Sequence, residues 1–256
     1  MVVLLASTFF AFGTDILGTK ERTRAEERVD EELDRERAPL DATMVEDWPT
    51  NGVLYHVLDR RLTSGERSRL RGGAGVDYVA KTLKARPLAA GSCGAGCGRV
   101  RYFLKLSSQK AQDQINVTDF SVRNMECAPV RSADTTLFVQ PSGESSPPTP
   151  LSVDLSVTHP TFMMEDVDNG GGVPYRRNGG EVLGSGAKPS TFAIDVDATS
   201  HCTWTMELSY LPNGSDQGMK PFVVKKGLRG EPIPENPAEE WFFDGSWREG
   251  DVRDAS

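Results

Sequence analysis

Residues 191–197, TFAIDVD, and 203–210, TWTMELSY, decide the fold. In the first, Phe192, Ile194 and Val196 share one side. In the second, Trp204, Met206, Leu208 and Tyr210 do the same. A side-chain period of two marks a half-buried strand, because successive Cβ atoms leave opposite faces of the backbone. The pattern recurs in 151–158, where Leu151, Val153, Leu155 and Val157 alternate with polar residues. It recurs again in 99–106, with Val100, Tyr102, Leu104 and Leu106. In 115–122 the apolar parity shifts after Asp119, from Ile115 and Val117 to Phe120 and Val122. A β-bulge near Asp119 accounts for the shift. Shorter strand candidates are 136–140, 161–164 and 221–225. Seven or eight strands with no helical pattern between them predict a mainly β fold, an antiparallel Ig-like β-sandwich over residues 99–228.

The composition agrees with a folded domain that carries loose ends. Of 256 residues, 38% are apolar, below the roughly 45–50% of an ordinary globular chain. The formal charge is −8, with 29 basic and 37 acidic residues. That balance argues against a nucleic-acid partner, which calls for a basic face. Glycine and proline are plentiful, 25 and 16, and gather in PSGESSPPTP at 141–150 and in 169–186. Such loops tolerate insertion and carry function. Residues 229–256 read as an acidic tail. Its aromatics Trp241, Phe242, Phe243 and Trp247 either strap it to the sandwich or leave a sticky patch.

The N-terminus has a different character. Residues 1–14, MVVLLASTFFAFGT, are uncharged, and Ile16 and Leu17 continue the run after Asp15. A spanning helix needs about 20 apolar residues, so the length is marginal. No basic region precedes the run and no small-residue cleavage site follows it. The expectation is a membrane-anchor or signal-like helix at 1–19. Residues 20–37, KERTRAEERVDEELDRER, are nearly all charged, and only Ala25, Val29 and Leu33 form an apolar line. That stripe is too thin to dock on a core, so a solvated helical stalk is expected. Residues 20–98 as a whole read as stalk and linker with short elements. Within them, VLYHVLDRRL at 53–62 fits a helix or a strand running into a turn. Thr63 and Glu66 have capping-box spacing, and the glycines at 72, 73 and 75 break what precedes them.

Four cysteines, an even number, suit disulfides in an oxidising compartment. Cys202 shares the inward parity of Trp204, and Cys127 follows the bulged strand, so a Cys127–Cys202 bridge across the core is expected. Cys93 and Cys97 sit in GSCGAGCG, whose glycines permit a local Cys93–Cys97 bridge. The rival reading is zinc held by Cys93, Cys97, His201 and Cys202. It suffers from the adjacent His-Cys pair, whose side chains leave a strand on opposite faces. A lipobox at Cys93 lacks the usual apolar residue before it.

No catalytic, cofactor-binding or metal set emerges. A triad needs His56, His159 or His201 beside a nucleophile, and no G-x-S-x-G elbow is present. The zinc-protease and nucleotide-binding motifs are missing as well. Glu165-Asp166-Val167-Asp168-Asn169-Gly170 places oxygens before a glycine turn, as calcium loops do, but lacks the closing acid. Asp195 and Asp197 could in principle act as a glycosidase carboxylate pair, with nothing else in support.

The runs QINVTDFSVRNMECAP, LSVDLSVTHPTF and TFAIDVDATSHCTWTMELSYLPNG resemble a group of uncharacterised actinobacterial membrane-anchored proteins. The resemblance covers roughly residues 99–226. It is carried most by the Cys202-Thr203-Trp204 strand together with a cysteine after VTDFSVR. It implies an N-terminal transmembrane helix and an extracytoplasmic β-rich domain, and no activity. The resulting expectation is a non-catalytic binding or structural module of a single-pass membrane protein. Its partner would be the membrane through the N-terminal helix and another envelope protein. The rivals are a hydrolase with a nonstandard site and a cytosolic β-sandwich protein with all four thiols reduced.

Overall fold

Alternating segments become strands because each can bury one face only against another sheet. The computed structural model describes residues 39–47, 53–109, 114–129, 134–141, 150–166, 171–178, 180–184, 188–212 and 218–250. The chain runs through β1 (Leu40–Asp47), β2 (Val53–Leu58), helix α1 (Ser64–Arg71), a π-helical turn (Tyr78–Thr82), β3 (Arg86–Ala90), β4 (Gly98–Ser108) and β5 (Ile115–Ala128). It continues with β6 (Thr136–Pro141), β7 (Pro150–Asp154), β8 (Met163–Asp166), β9 (Gly171–Pro174), the short helix α2 (Tyr175–Asn178) and β10 (Glu181–Leu183). The last strands are β11 (Ser190–Ala198), β12 (His201–Pro212), β13 (Lys220–Gly230), β14 (Glu239–Phe243) and β15 (Trp247–Glu249). The expected anchor at 1–19 and the charged stretch 20–37 lie outside the described residues. Among those described, no helix is long and apolar enough to cross a membrane.

The fold is mainly β, in two sheets. The larger has the order β15-β14-β6-β2-β3-β4-β11-β7-β8-β9, with β1 also paired to β4; the smaller has the order β10-β5-β12-β13. One apolar cluster joins them. From the large sheet it takes Val100, Tyr102, Leu104, Leu106, Phe192, Ile194 and Val196, and from the small one Phe120, Trp204, Met206 and Leu208. These are the faces that the period of two marked. Each such side chain contributes roughly 1.5–3 kcal/mol of burial. At the centre Phe120 packs edge-on against Tyr175 and Phe192, with ring centroids 4.7 and 5.4 Å apart.

A second cluster lies on the other half of the large sheet. There Leu70 of α1 and Val79 of the π-helical turn pack with Phe138, Trp241 and Trp247. Helix α1 starts where its capping box allows. Thr63 accepts the Glu66 amide, and the Glu66 carboxylate accepts the Thr63 amide, satisfying two otherwise orphaned donors.

The structure corrects four expectations. Part of the stretch 20–98 expected as stalk and linker is sheet: β1, β2 and β3 pair with β4 and β6 inside the large sheet, and the compact unit begins at Leu40. Strand β2 lies between β3 and β6 and contributes to both clusters. A strand covered on both faces loses its alternation, which made VLYHVL ambiguous. Within the segment expected as an acidic tail, 229–256, residues 239–249 belong to the large sheet. Strand β14 pairs with β6 and then with β15, and Trp241 and Trp247 are buried, so the aromatics act as a strap. The sheet is not wholly antiparallel, because β7 pairs with β11, and β14 with β6, in parallel. Finally, the strand expected over 151–158 stops at Asp154. Its Oδ1 accepts the Ser156 amide at 2.8 Å and turns the chain, a local side-chain bond that competes with the ladder.

The bulge expected near Asp119 is present. Ser209 opposes Asp119 while Tyr210 opposes Val117, leaving Thr118 as the extra residue. A second irregularity follows. Thr203 opposes Glu126 and Thr205 opposes Arg123, and Asn124 takes a left-handed conformation (φ 48°), which asparagine tolerates better than most residues.

Candidate functional site

Both cysteine pairs are disulfides, Cys93–Cys97 and Cys127–Cys202. The second does not cross the core. Strands β5 and β12 are neighbours in one sheet, and Cys127 stands directly opposite Cys202 with 4.1 Å between Cα atoms. The parity argument placed Cys202 inward correctly. It could not tell a facing sheet from an adjacent strand. With their sulfurs joined, Cys93, Cys97 and Cys202 are not thiolates for a metal, so the zinc set of the sequence reading does not assemble. His201 instead has Nδ1 2.7 Å from Glu231 Oε2.

The Cys93–Cys97 loop is fastened to the outer face of the large sheet. Strands β4 and β11 put Arg99 opposite Asp197 and Arg101 opposite Asp195. Arg99 grips Asp197 through two bonds of 2.7 and 2.9 Å, and Arg101 grips Asp195 at 2.6 and 2.9 Å. The Ser92 amide and hydroxyl also donate to Asp197, at 2.9 and 2.7 Å. Burial pushes the Asp197 carboxyl up, but the bonds from Arg99 and Ser92 outweigh it and hold the group below its ordinary value. The carboxylate pair considered for glycoside hydrolysis is thus held by two guanidinium groups. Such bidentate pairs position the loop rather than move protons.

A second charged group surrounds His201 and Glu231. Arg86 approaches Glu231 at 3.5 Å and binds Asp59, while Arg229 binds Glu46 at 2.8 Å. Tyr102 accepts the Arg229 amide at 2.9 Å and donates to its carbonyl at 3.1 Å. Burial drives the Tyr102 hydroxyl up to about 12. The third histidine, His56, is buried in β2, with the Gln140 side chain and Ala85 backbone in reach of its ring. Burial drives it down to about 4, so it is neutral at pH 7.

A larger opening lies elsewhere, along β5. It is a groove of about 730 Å³ between β5 residues 119–125, the loop 158–161, Pro174 and Arg176. The fold makes it in two steps. Strand β10 pairs only with Ile115–Val117 of β5, so β5 loses its neighbour just before the first bulge. The 158–161 loop then reaches β5 through a single bridge, Thr161 to Ser121. Phe120, Val122, Met125 and the two prolines give the groove apolar walls; Arg123 and Arg176 give it positive charge against Asp119, and the His159 imidazole lies beside them. Arg123 binds Glu207 at 3.2 Å. His159 also lines an adjoining cavity of about 230 Å³ that contains Ser92, Asp154 and Asp197.

The structure therefore brings together parts that the sequence reading held separately. His159 and the 151–158 segment meet the disulfide loop and the bulged strand. Arg123 and Arg176 were not singled out, because an arginine beside a strand end has no pattern that separates it from a solvated one. The acidic run 165–170 falls partly outside the described residues, and no cluster of three metal-ligating side chains occurs among those described. No protein-family model matches the chain, no curated protein matches it, and no solved structure matches it.

Proposed function

We propose that the chain is a non-catalytic binding module of the cell envelope, anchored in the membrane by residues 1–19, with the domain from Leu40 onward outside the cytoplasm. The observation that carries the binding role is the groove beside β5. Its volume lies within the roughly 300–1,000 Å³ of ligand sites, and it combines apolar walls with a few convergent polar groups. The wall at Phe120 is braced by the aromatic cluster of Phe162, Tyr175 and Phe192. Rigid walls lower the entropy lost on binding. Disulfides persist where the environment oxidises thiols, which supports export. The resemblance to actinobacterial anchored proteins supports the same placement. The two facing sheets are consistent with a sandwich of the Ig-like kind, elaborated by the extra strands of the large sheet.

Two experiments on the full chain in living cells test this reading. Alkaline phosphatase fused after Ser256 is expected to be active, and an inactive fusion of normal abundance would overturn the location. A photoreactive benzoylphenylalanine at Met125, inside the groove, is expected to give a discrete protein adduct. The same group at Val45, exposed and outside the groove, is expected to give none. Equal labelling from both positions would refute the groove as the binding site.

A further inference from the structure

We infer that the groove takes an extended acidic peptide, added as a strand to β5, with the peptide's carboxylates on Arg176. This rests on the binding-module reading and names its partner class.

The first argument concerns the backbone. Strand β12 accompanies β5 on one side from Ile115 to Ala128. On the other side β10 covers Ile115–Val117 and Thr161 bridges Ser121. Past that bridge, no strand among the described residues pairs with β5. Cys127 and Cys202 lie 4.1 Å apart at Cα, the spacing of a non-hydrogen-bonded pair, about 4.5 Å rather than 5.5 Å. The N–H and C=O of Cys127 therefore point away from β12, toward the open side. An unfilled row of main-chain donors and acceptors is a template for strand addition. The open edge therefore runs from Val122, along the groove, to Ala128, with one interruption at Asn124.

The second argument concerns side chains. Val122 and Met125 are half-buried and pack against the core below. They leave shallow apolar walls for alternate residues of an added strand. The third argument is charge. Arg123 is engaged by Glu207, whereas Arg176 is exposed and has no carboxylate partner among the described residues. A cationic spot on a chain of net charge −8 selects an acidic segment over a basic one. A second copy of this groove would bring Arg176 against its own equivalent, and like charges disfavour that pairing.

The probe is a fluorescein-labelled octapeptide of alternating valine and glutamate, titrated by anisotropy with the full chain in detergent micelles. Saturable binding is expected. A valine/lysine octapeptide is expected not to compete. N-methylation of the probe at every second residue removes its backbone donors and keeps its side chains, and is expected to weaken binding at least tenfold. Arg176→Glu is expected to weaken it at least fivefold with an unchanged circular dichroism spectrum and melting temperature.

Equal affinity of the N-methylated probe would overturn strand addition, as would displacement of the probe by equimolar glutarate. Absence of binding by the unmodified probe would overturn it too. A cellular adduct from Met125 alongside any of these outcomes leaves the binding role standing. Loss of the adduct as well removes both.

Discussion

Acidification should destabilise this domain through His56 before any carboxylate held below its ordinary value takes part. His56 is 1% exposed in β2, directly opposite Phe138 on β6 and Pro87 on β3. Burial lowers it from 6.5 to about 4. The unfolded chain therefore binds the proton first. Stability is complete above pH 6.5 and is lost as the pH falls toward 4. Each pH unit in that window costs about 1.4 kcal/mol, which gives a loss of about 2 kcal/mol at pH 5 and about 3 kcal/mol at pH 4. The carboxylates held below their ordinary values are Glu66, lowered to about 2, together with Asp59, Asp197 and Glu239. Their contributions are lost only below about pH 4.5, so the interval from 6.5 to 4.5 isolates the histidine. The assay is urea unfolding, followed by tryptophan fluorescence at pH 7.0, 6.0, 5.0 and 4.5, on the native chain and on His56→Gln. The native chain should lose stability steadily over this range, and the variant should lose far less whatever its absolute stability. A native chain as stable at pH 5 as at pH 7, or a variant with the same slope, would refute the buried neutral imidazole.

Other consequences are as direct. Phe120→Ala removes the ring that meets Phe162, Tyr175 and Phe192 and should cost about 3–5 kcal/mol in chemical denaturation; a loss below about 1 kcal/mol would contradict the inter-sheet cluster. A Cβ at Gly98 would lie 2.1 Å from the Glu231 carbonyl oxygen, whereas one at Gly75 would meet open space. Gly98→Ala should therefore abolish soluble folding while Gly75→Ala leaves the melting temperature nearly unchanged, and tolerance of both would place the 231–234 segment elsewhere. Removing Cys127–Cys202, whose ends are 75 residues apart, should cost about 4 kcal/mol, and removing Cys93–Cys97, 4 residues apart, about 2 kcal/mol. Equal losses on thermal unfolding would mean that loop closure is not the mechanism. Thr63→Ala should cost about 1 kcal/mol through the lost capping box, read by the same unfolding assay.

What could be read without coordinates follows from how local the cause is. Strands β4, β11 and β12 each have one wet and one buried face, so alternation in the chain records their position. The Thr118 bulge was legible because it reverses parity between Val117 and Phe120. The second irregularity leaves the same mark between Val122 and Met125, one step beyond the stretch that was read. Strand β2 was illegible because both of its faces are covered. The parallel partners of β7 and β14 were illegible because nothing local records which distant strand lies alongside. The disulfide pairs were legible from glycine spacing and parity, but not the fact that Cys127 and Cys202 stand on adjacent strands. The groove depends on where β10 stops relative to β5, a tertiary circumstance, so Arg176 and His159 carried no visible sign of belonging together.

The most direct measurement is disulfide mapping of the full chain, recovered from cells that export it, alkylated before any reduction and digested. Two linked peptides are expected, one holding Cys93 and Cys97 and the other joining Cys127 to Cys202, with no alkylated cysteine. Four alkylated thiols would contradict the placement outside the cytoplasm, and Cys127 joined to any other partner would contradict the adjacency of β5 and β12.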